Sequence, residues 1–371
     1  MIRSVIFALF CTIFLHCESK NQKNSKYEQF IQGIPALDYQ IKTVDFQNSD
    51  LYSFNRVFID SARNLIVADF KTWTIYLFDK DGNLLSKFGK EGRGPGEFLG
   101  MHKINVHEDS NTIQIYDGKL NRITILEVKN DSLLYLESNS IQGYERGYFL
   151  KDFYTVNDKS FGLFQLSNAI LDIDENGTLQ LNAIDSNLMV SDSLFSFRGD
   201  EQVEMDFNGN VFSTSIPFGF STEWMFKDST LVISNSENMD FTIYNLLTGD
   251  QKIYSINEIP EITNGNYVLE YFRDNYIEML GFNENFEKNL LEREKMPFFI
   301  NFGVTNHNIV VSMSSYSSDS KVILVLDKKS NKLEKLEVPN NFYMHGVVDN
   351  ILFGKQANRE SGIDFVSVIE F

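Results

Sequence analysis

The chain has 371 residues, 43% of them hydrophobic and 14% aromatic, with a formal charge of −18. That is apolar enough for one large globular core, and six prolines argue against a disordered chain or a proline-rich linker. The acidity repels phosphate backbones, so no nucleic acid is expected as a partner.

Met1-Ile2-Arg3 and the apolar run Val5 to Leu15 read as a signal peptide over 1–16, too short for a stable membrane span. The run ends at Phe14-Leu15-His16-Cys17. With Cys11 inside the signal, a mature chain starting at Cys17 has no thiol for an internal disulfide, and packing alone must hold the fold. The polar stretch that follows is expected to tether the domain over 17–37. The domain itself is expected over 38–371.

From residue 54 onward a polar turn followed by an apolar strand recurs. The copies are Asn64–Asp69, Thr112–Asp117, Ser160–Gln165, Thr230–Asn235, Asn308–Met313 and Asn350–Lys355. A strand precedes most copies and two more follow, as Ile75–Asp79 and Leu84–Phe88 follow the first. Four short strands every ~40–50 residues is the rhythm of a β-propeller. The last copy stops one strand short, and Tyr39–Phe46 belongs to no blade, so it is expected to close the ring. The predicted fold is all-β: a six-bladed propeller closed by an N-terminal strand.

Extra residues fall at Ile184–Pro217, Glu258–Met296, Ser314–Lys321 and Gln356–Gly362. Read as links from strand four to the next strand one, or from strand two to strand three, all emerge on one face. Val268, Leu269, Phe272, Tyr276, Met279 and Leu280 fall at helical spacing, so about 258–296 is expected to be a helical insertion between blades four and five, either packed on the rim or serving as a lid.

Asp69, Asp117, Asn235 and Lys355 end strand two of their blades and are candidate ligand contacts, with Trp73 as either a stacking platform or a rim residue packed on the next blade, and Arg93 and Glu97 in and just after the glycine-rich Gly89–Gly96. Asp172–Gly177 has the first half of a calcium loop, but Ala183 stands where the bidentate glutamate belongs, so a turn between strands three and four is expected. No catalytic residue, metal ligand set or cofactor is assigned.

Asp69 followed six residues later by Ile75, and Asp117 by Ile123 with Arg122 before it, resemble NHL-type propeller repeats. Blade one departs at Thr74. Arg122 therefore joins the ligand-binding candidates. The signal and Cys17 resemble the lipobox of bacterial lipoproteins, with His16 where a small residue is usual, and imply lipidation of Cys17. Together they resemble six-bladed propeller lipoproteins of Gram-negative bacteria. The resemblance implies a membrane-anchored cell-envelope protein, on the periplasmic face or the cell surface. Such a protein would bind a protein, a glycan or a small ligand on its insertion-bearing face. The alternative is a metal-dependent hydrolase or lyase resembling six-bladed lactonases, with Asp69 and Asp117 on the metal and Glu97 assisting.

Overall fold

The computed structural model describes residues 25–46, 49–51, 54–107, 111–142, 148–166, 176–207, 210–215, 219–257, 259–262, 292–314, 320–357 and 364–371. Helix α1 (Ser25–Gly33) comes first, then β1 (Gln40–Val44). Blade one is β2 (Arg56–Ile59), β3 (Leu65–Asp69), β4 (Thr74–Phe78) and β5 (Leu84–Phe88), and blade two is β6 (Met101–His107), β7 (Thr112–Asp117), β8 (Arg122–Lys129) and β9 (Ser132–Asn139). Blade three has five strands: β10 (Tyr148–Val156), β11 (Lys159–Leu166), β12 (Asn176–Ile184), β13 (Val190–Phe207) and β14 (Asn210–Ser215). Blade four is β15 (Thr222–Lys227), β16 (Thr230–Asn235), β17 (Asp240–Asn245) and β18 (Gln251–Ser255). Blade five is β19 (Phe299–Val304), β20 (Asn308–Met313), β21 (Ser320–Asp327) and β22 (Leu333–Pro339). Blade six joins β23 (Phe342–Val348), β24 (Ile351–Ala357) and β25 (Asp364–Glu370) to β1.

The expected closure is therefore present: β1 pairs with β25 from Gln40↔Glu370 to Val44↔Val366. Blade one reinforces it, because Lys42 Nζ reaches Asp81 at 2.7 Å and the Lys80 carbonyl at 3.1 Å. Gly82 lies so close to this strand that a Cβ would stand 2.1 Å from the Asp45 carbonyl oxygen, and its φ is +87°. A side chain is excluded there on both counts.

Among the described residues, six apolar clusters fill the gaps between blades. Ile66, Leu77, Ile104 and Ile115 join blades one and two, and Leu163, Leu181, Leu231 and Ile233 join blades three and four. Strands β3 and β4 are buried at every residue, whereas the outermost strand β18 is mostly exposed. A middle strand is covered on both faces, which explains unbroken apolar runs such as Leu65-Ile66-Val67-Ala68.

The two faces of the ring differ. Links from strand one to two and from three to four span two to five residues. Their tightness comes from left-handed backbone at Asn130-Asp131 (φ 49° and 59°) and Asn157-Asp158 (φ 46° and 60°), the geometry of two-residue hairpins. On the opposite face lie the link 89–100 and the strand ends that flank 256–298, 314–319 and 358–363, and β13 and β14 lie on the route from blade three to blade four.

Three expectations need revision or lie elsewhere. Residues 17–37 were expected to be a tether, but α1 packs Ile31 and Ile34 against the blade four–five core, and Leu37 N donates to Lys335 O at 2.8 Å. The apolar Tyr27, Phe30, Ile31 and Ile34 outweigh the polar residues around them. In blade three the segment near Thr178 is strand three, not four, because β13 supplies the outer strand. The expected turn at Asp172–Gly177 therefore does not join strands three and four: Asn176 and Gly177 open β12, and 172–175 lie outside the described residues. Most of the expected helical insertion, 263–291, also lies outside them. Among the described residues, no helix is long and apolar enough to cross a membrane.

Candidate functional site

The innermost strands β2, β6, β10, β15, β19 and β23 surround a cavity of about 380 Å³, within the size range of small-ligand sites. Each enters from the insertion-bearing face. Four carry a register shift near that end, at Met101/Lys103, Leu150/Asp152, Phe299/Asn301 and Met344/Gly346. A bulge puts an extra residue into the strand and re-aims its neighbours, which lets polar side chains sit where strict alternation would place apolar ones.

Asp152 is fully buried, and four donors converge on it. Asn105 Nδ2 donates at 2.7 Å, Trp224 Nε1 at 2.9 Å and the Phe153 N–H at 2.8 Å, while Lys103 Nζ lies at 3.3 Å. Lys103 also stands 5.2 Å from the centre of the Trp224 ring. This buried charge is compensated on every side and ties together blades two, three and four.

Arg56, Glu223 and Asn301 behave differently. Arg56 is exposed within the cavity, and among the described residues it makes no hydrogen bond and no ion pair. The Glu223 carboxyl likewise has neither. Burial pushes Glu223 up to about 7, against the pull of Lys103; Asp200 adds to the rise and Arg56 opposes it. Asn301 donates through Nδ2 to Met344 O at 2.8 Å, while its buried Oδ1 accepts nothing from the described residues.

His345 is pushed down to about 3, first by burial and then by the charges of Arg56 and Lys355, so its ring is neutral. Its Nδ1 faces the Val57 N–H at 3.0 Å and must accept, which assigns the ring proton to Nε2. Aromatic rings complete another part of the wall. His107 stacks on Tyr154 at 4.4 Å, and Tyr154 on Phe226 at 4.8 Å with 6° between planes.

The residues singled out from sequence lie elsewhere, and none of the eight lines the cavity. Asp69 accepts from Lys71 N at 2.8 Å and Thr72 Oγ1 at 2.9 Å. Asp117 accepts from Leu99 N at 2.7 Å, Gly100 N at 3.2 Å, and Lys119 N and Leu120 N at 3.0 Å each. Asn235 accepts from Glu237 N at 3.0 Å and donates to Thr222 Oγ1 at 2.7 Å. These strand-end side chains hold turns, because the turn N–H groups are their nearest donors. Lys355 pairs with Asp364 at 2.5 Å and donates to Phe54 O at 3.2 Å.

Three candidates are brought together. Arg122 donates to the carbonyls of Arg93 and Gly94, both at 3.1 Å, and to that of Glu97; Glu97 Oε2 accepts from Gly94 N at 2.7 Å. Trp73 has φ +57° and lies 5.9 Å from Lys119 Nζ, packed against the blade one–two core. Cys17 lies outside the described residues. Among the described residues no three potential metal ligands cluster.

Sequence reasoning missed Arg56, Glu223 and the bulged strands. The signal was available as a charge inside an apolar innermost strand, in Arg56-Val57-Phe58-Ile59 and in Glu223-Trp224-Met225-Phe226.

The family DUF5128, described as 6-bladed beta-propeller, matches residues 53–342. A crystal structure of a "Putative exported protein" from Bacteroides fragilis NCTC 9343 superposes with a TM-score of 0.54 at 13% identity, covering 91% of this chain and 98% of that one. A member of the duf4221 family from Bacteroides vulgatus ATCC 8482 gives 0.50 at 12% identity, with 91% and 98% covered. At these identities the likeness extends to the fold alone. No curated protein sequence matches the chain.

Proposed function

The chain belongs to this six-bladed β-propeller family, and we propose that it is an exported, lipid-anchored envelope protein that binds a small ligand in its channel, from the insertion-bearing face, without reacting on it. The observation that carries the reading is that Arg56 and Glu223 share one cavity and have no partner among the described residues. Burial is what raises Glu223, and a folded chain seldom leaves such a carboxyl without a partner. The signal-like Met1–Leu15, Cys17 and the neighbour described as exported support the envelope location.

A thermal-shift screen of small polar compounds tests the binding reading. A ligand of the channel raises the melting temperature of the wild type but not of an Arg56→Ala/Glu223→Gln double variant. Equal shifts in both proteins, or none across the screen, overturn it. Separately, Cys17→Ala is expected to move the protein from the membrane fraction to the soluble one, and continued membrane association would rule out the lipid anchor.

A further inference from the structure

Building on the channel-binding reading, we infer that the ligand is a small organic carboxylate held by Arg56 and the Nε2–H edge of His345, and that binding it draws a proton onto Glu223. Charged and titratable side chains face the cavity from five of its six innermost strands. Arg56 of β2, His102, Lys103 and His107 of β6, Tyr154 of β10, Glu223 of β15 and His345 of β23 line the cavity, β19 contributes the neutral Asn301, and Asp152 of β10 is buried behind the wall. Lys227 and Asp228 stand at the far end of β15, next to the tight turn. Behind β15, Asp200 of β13 accepts the Thr222 N–H at 2.9 Å.

These groups sort into fixed and conditional ones. Lys103 and Asp152 offset each other. Arg56 keeps its charge at any ordinary pH, and a guanidinium presents a planar fork that matches a carboxylate. His345 is held neutral with its proton on Nε2, so it too offers a permanent donor. Both permanent groups ask for an anion. Glu223 is the conditional one: ionised, it balances Arg56 and repels an anion, whereas protonated it leaves the site with an uncompensated cation and a hydroxyl that can donate.

A cationic ligand fits less well. It would face Arg56, whose charge cannot be removed, and depend on a carboxyl that burial holds half-neutral near pH 7. The sign of the pH effect follows. A bound anion disfavours ionised Glu223, so the complex takes up a proton, and affinity falls as pH rises through about 7, by up to about tenfold per pH unit.

Trp224 lies in the cavity wall beside Lys103, and the chain has two tryptophans, so a Trp73→Phe background leaves Trp224 as the reporter. Detergent-solubilised full-length protein is titrated with acetate, benzoate and 3-phenylpropanoate, with the matching amides, and with phenethylamine, from about pH 5.5 to 8.5. Carboxylates are expected to bind and amides not. Arg56→Ala should weaken carboxylate binding at least about tenfold at every pH, with Arg56→Lys in between. Glu223→Gln should hold the acid-side affinity and remove the pH slope. Amides or the amine binding as well as the acids would overturn the anion assignment while leaving a channel ligand in place. Carboxylate binding without a pH slope would overturn the proton linkage. If none of the probes binds, the inference falls; the wider reading falls only if the thermal-shift screen is also empty.

Discussion

The loop assembly of blades one and two and the channel wall are both rich in charge, yet they treat it in opposite ways. In the first, Asp117 takes four backbone N–H groups and Arg122 donates to three carbonyls, so the charged groups serve backbone that would otherwise be left unpaired. In the second, Arg56 and Glu223 face a cavity with no hydrogen bond or ion pair among the described residues. Charges that recur with the repeat hold turns. Inside the innermost strands, Lys103 and Asp152 offset each other, whereas Arg56 and Glu223 meet no partner among the described residues.

Stability measurements can break this contrast. Asp117→Ala strands several buried donors and is expected to lower the unfolding free energy by about 3–5 kcal/mol, read from urea melts. A loss below about 1 kcal/mol would mean that the turn is held by something else. Arg122→Ala should cost less, about 1–3 kcal/mol, and should open the loop around Arg93 to protease, while leaving any channel ligand's affinity unchanged. If that affinity drops, the two regions are coupled.

Arg56→Ala should change stability by no more than about 0.5 kcal/mol, since among the described residues it removes no hydrogen bond or ion pair. Glu223→Gln gives the smallest but most specific effect. In the folded state Glu223 is raised from 4.5 to about 7, so its contribution is fully present below pH 4.5 and is lost as pH rises through about 7. Wild-type stability should therefore fall relative to Glu223→Gln across that window. Parallel melting curves against pH would show that the carboxyl is solvated like any surface glutamate.

The blade count, the two-residue turns and the closing role of Tyr39–Phe46 could be read along the chain because each rests on local rules. A polar turn before an apolar run marks each strand pair, and an unmatched strand at one end answers a missing strand at the other. Blade three misled because Thr178–Asn182 reads equally well as strand three or four, and only pairing with β13 decides which. Asp69 and Asp117 hold turns outside the cavity, and an aspartate at a strand end has the same sequence signature whether it binds a ligand or its own turn.

Local pattern, then, determined that this chain makes repeated antiparallel sheets and where each one turns, since a turn and a strand need only their own few residues. Which strand edge becomes the channel wall, and which of its charges meet no partner, depended on how the blades come together. Arg56 and His345 sit almost 300 positions apart, and the Val57 N–H fixes the His345 proton only once the ring has closed.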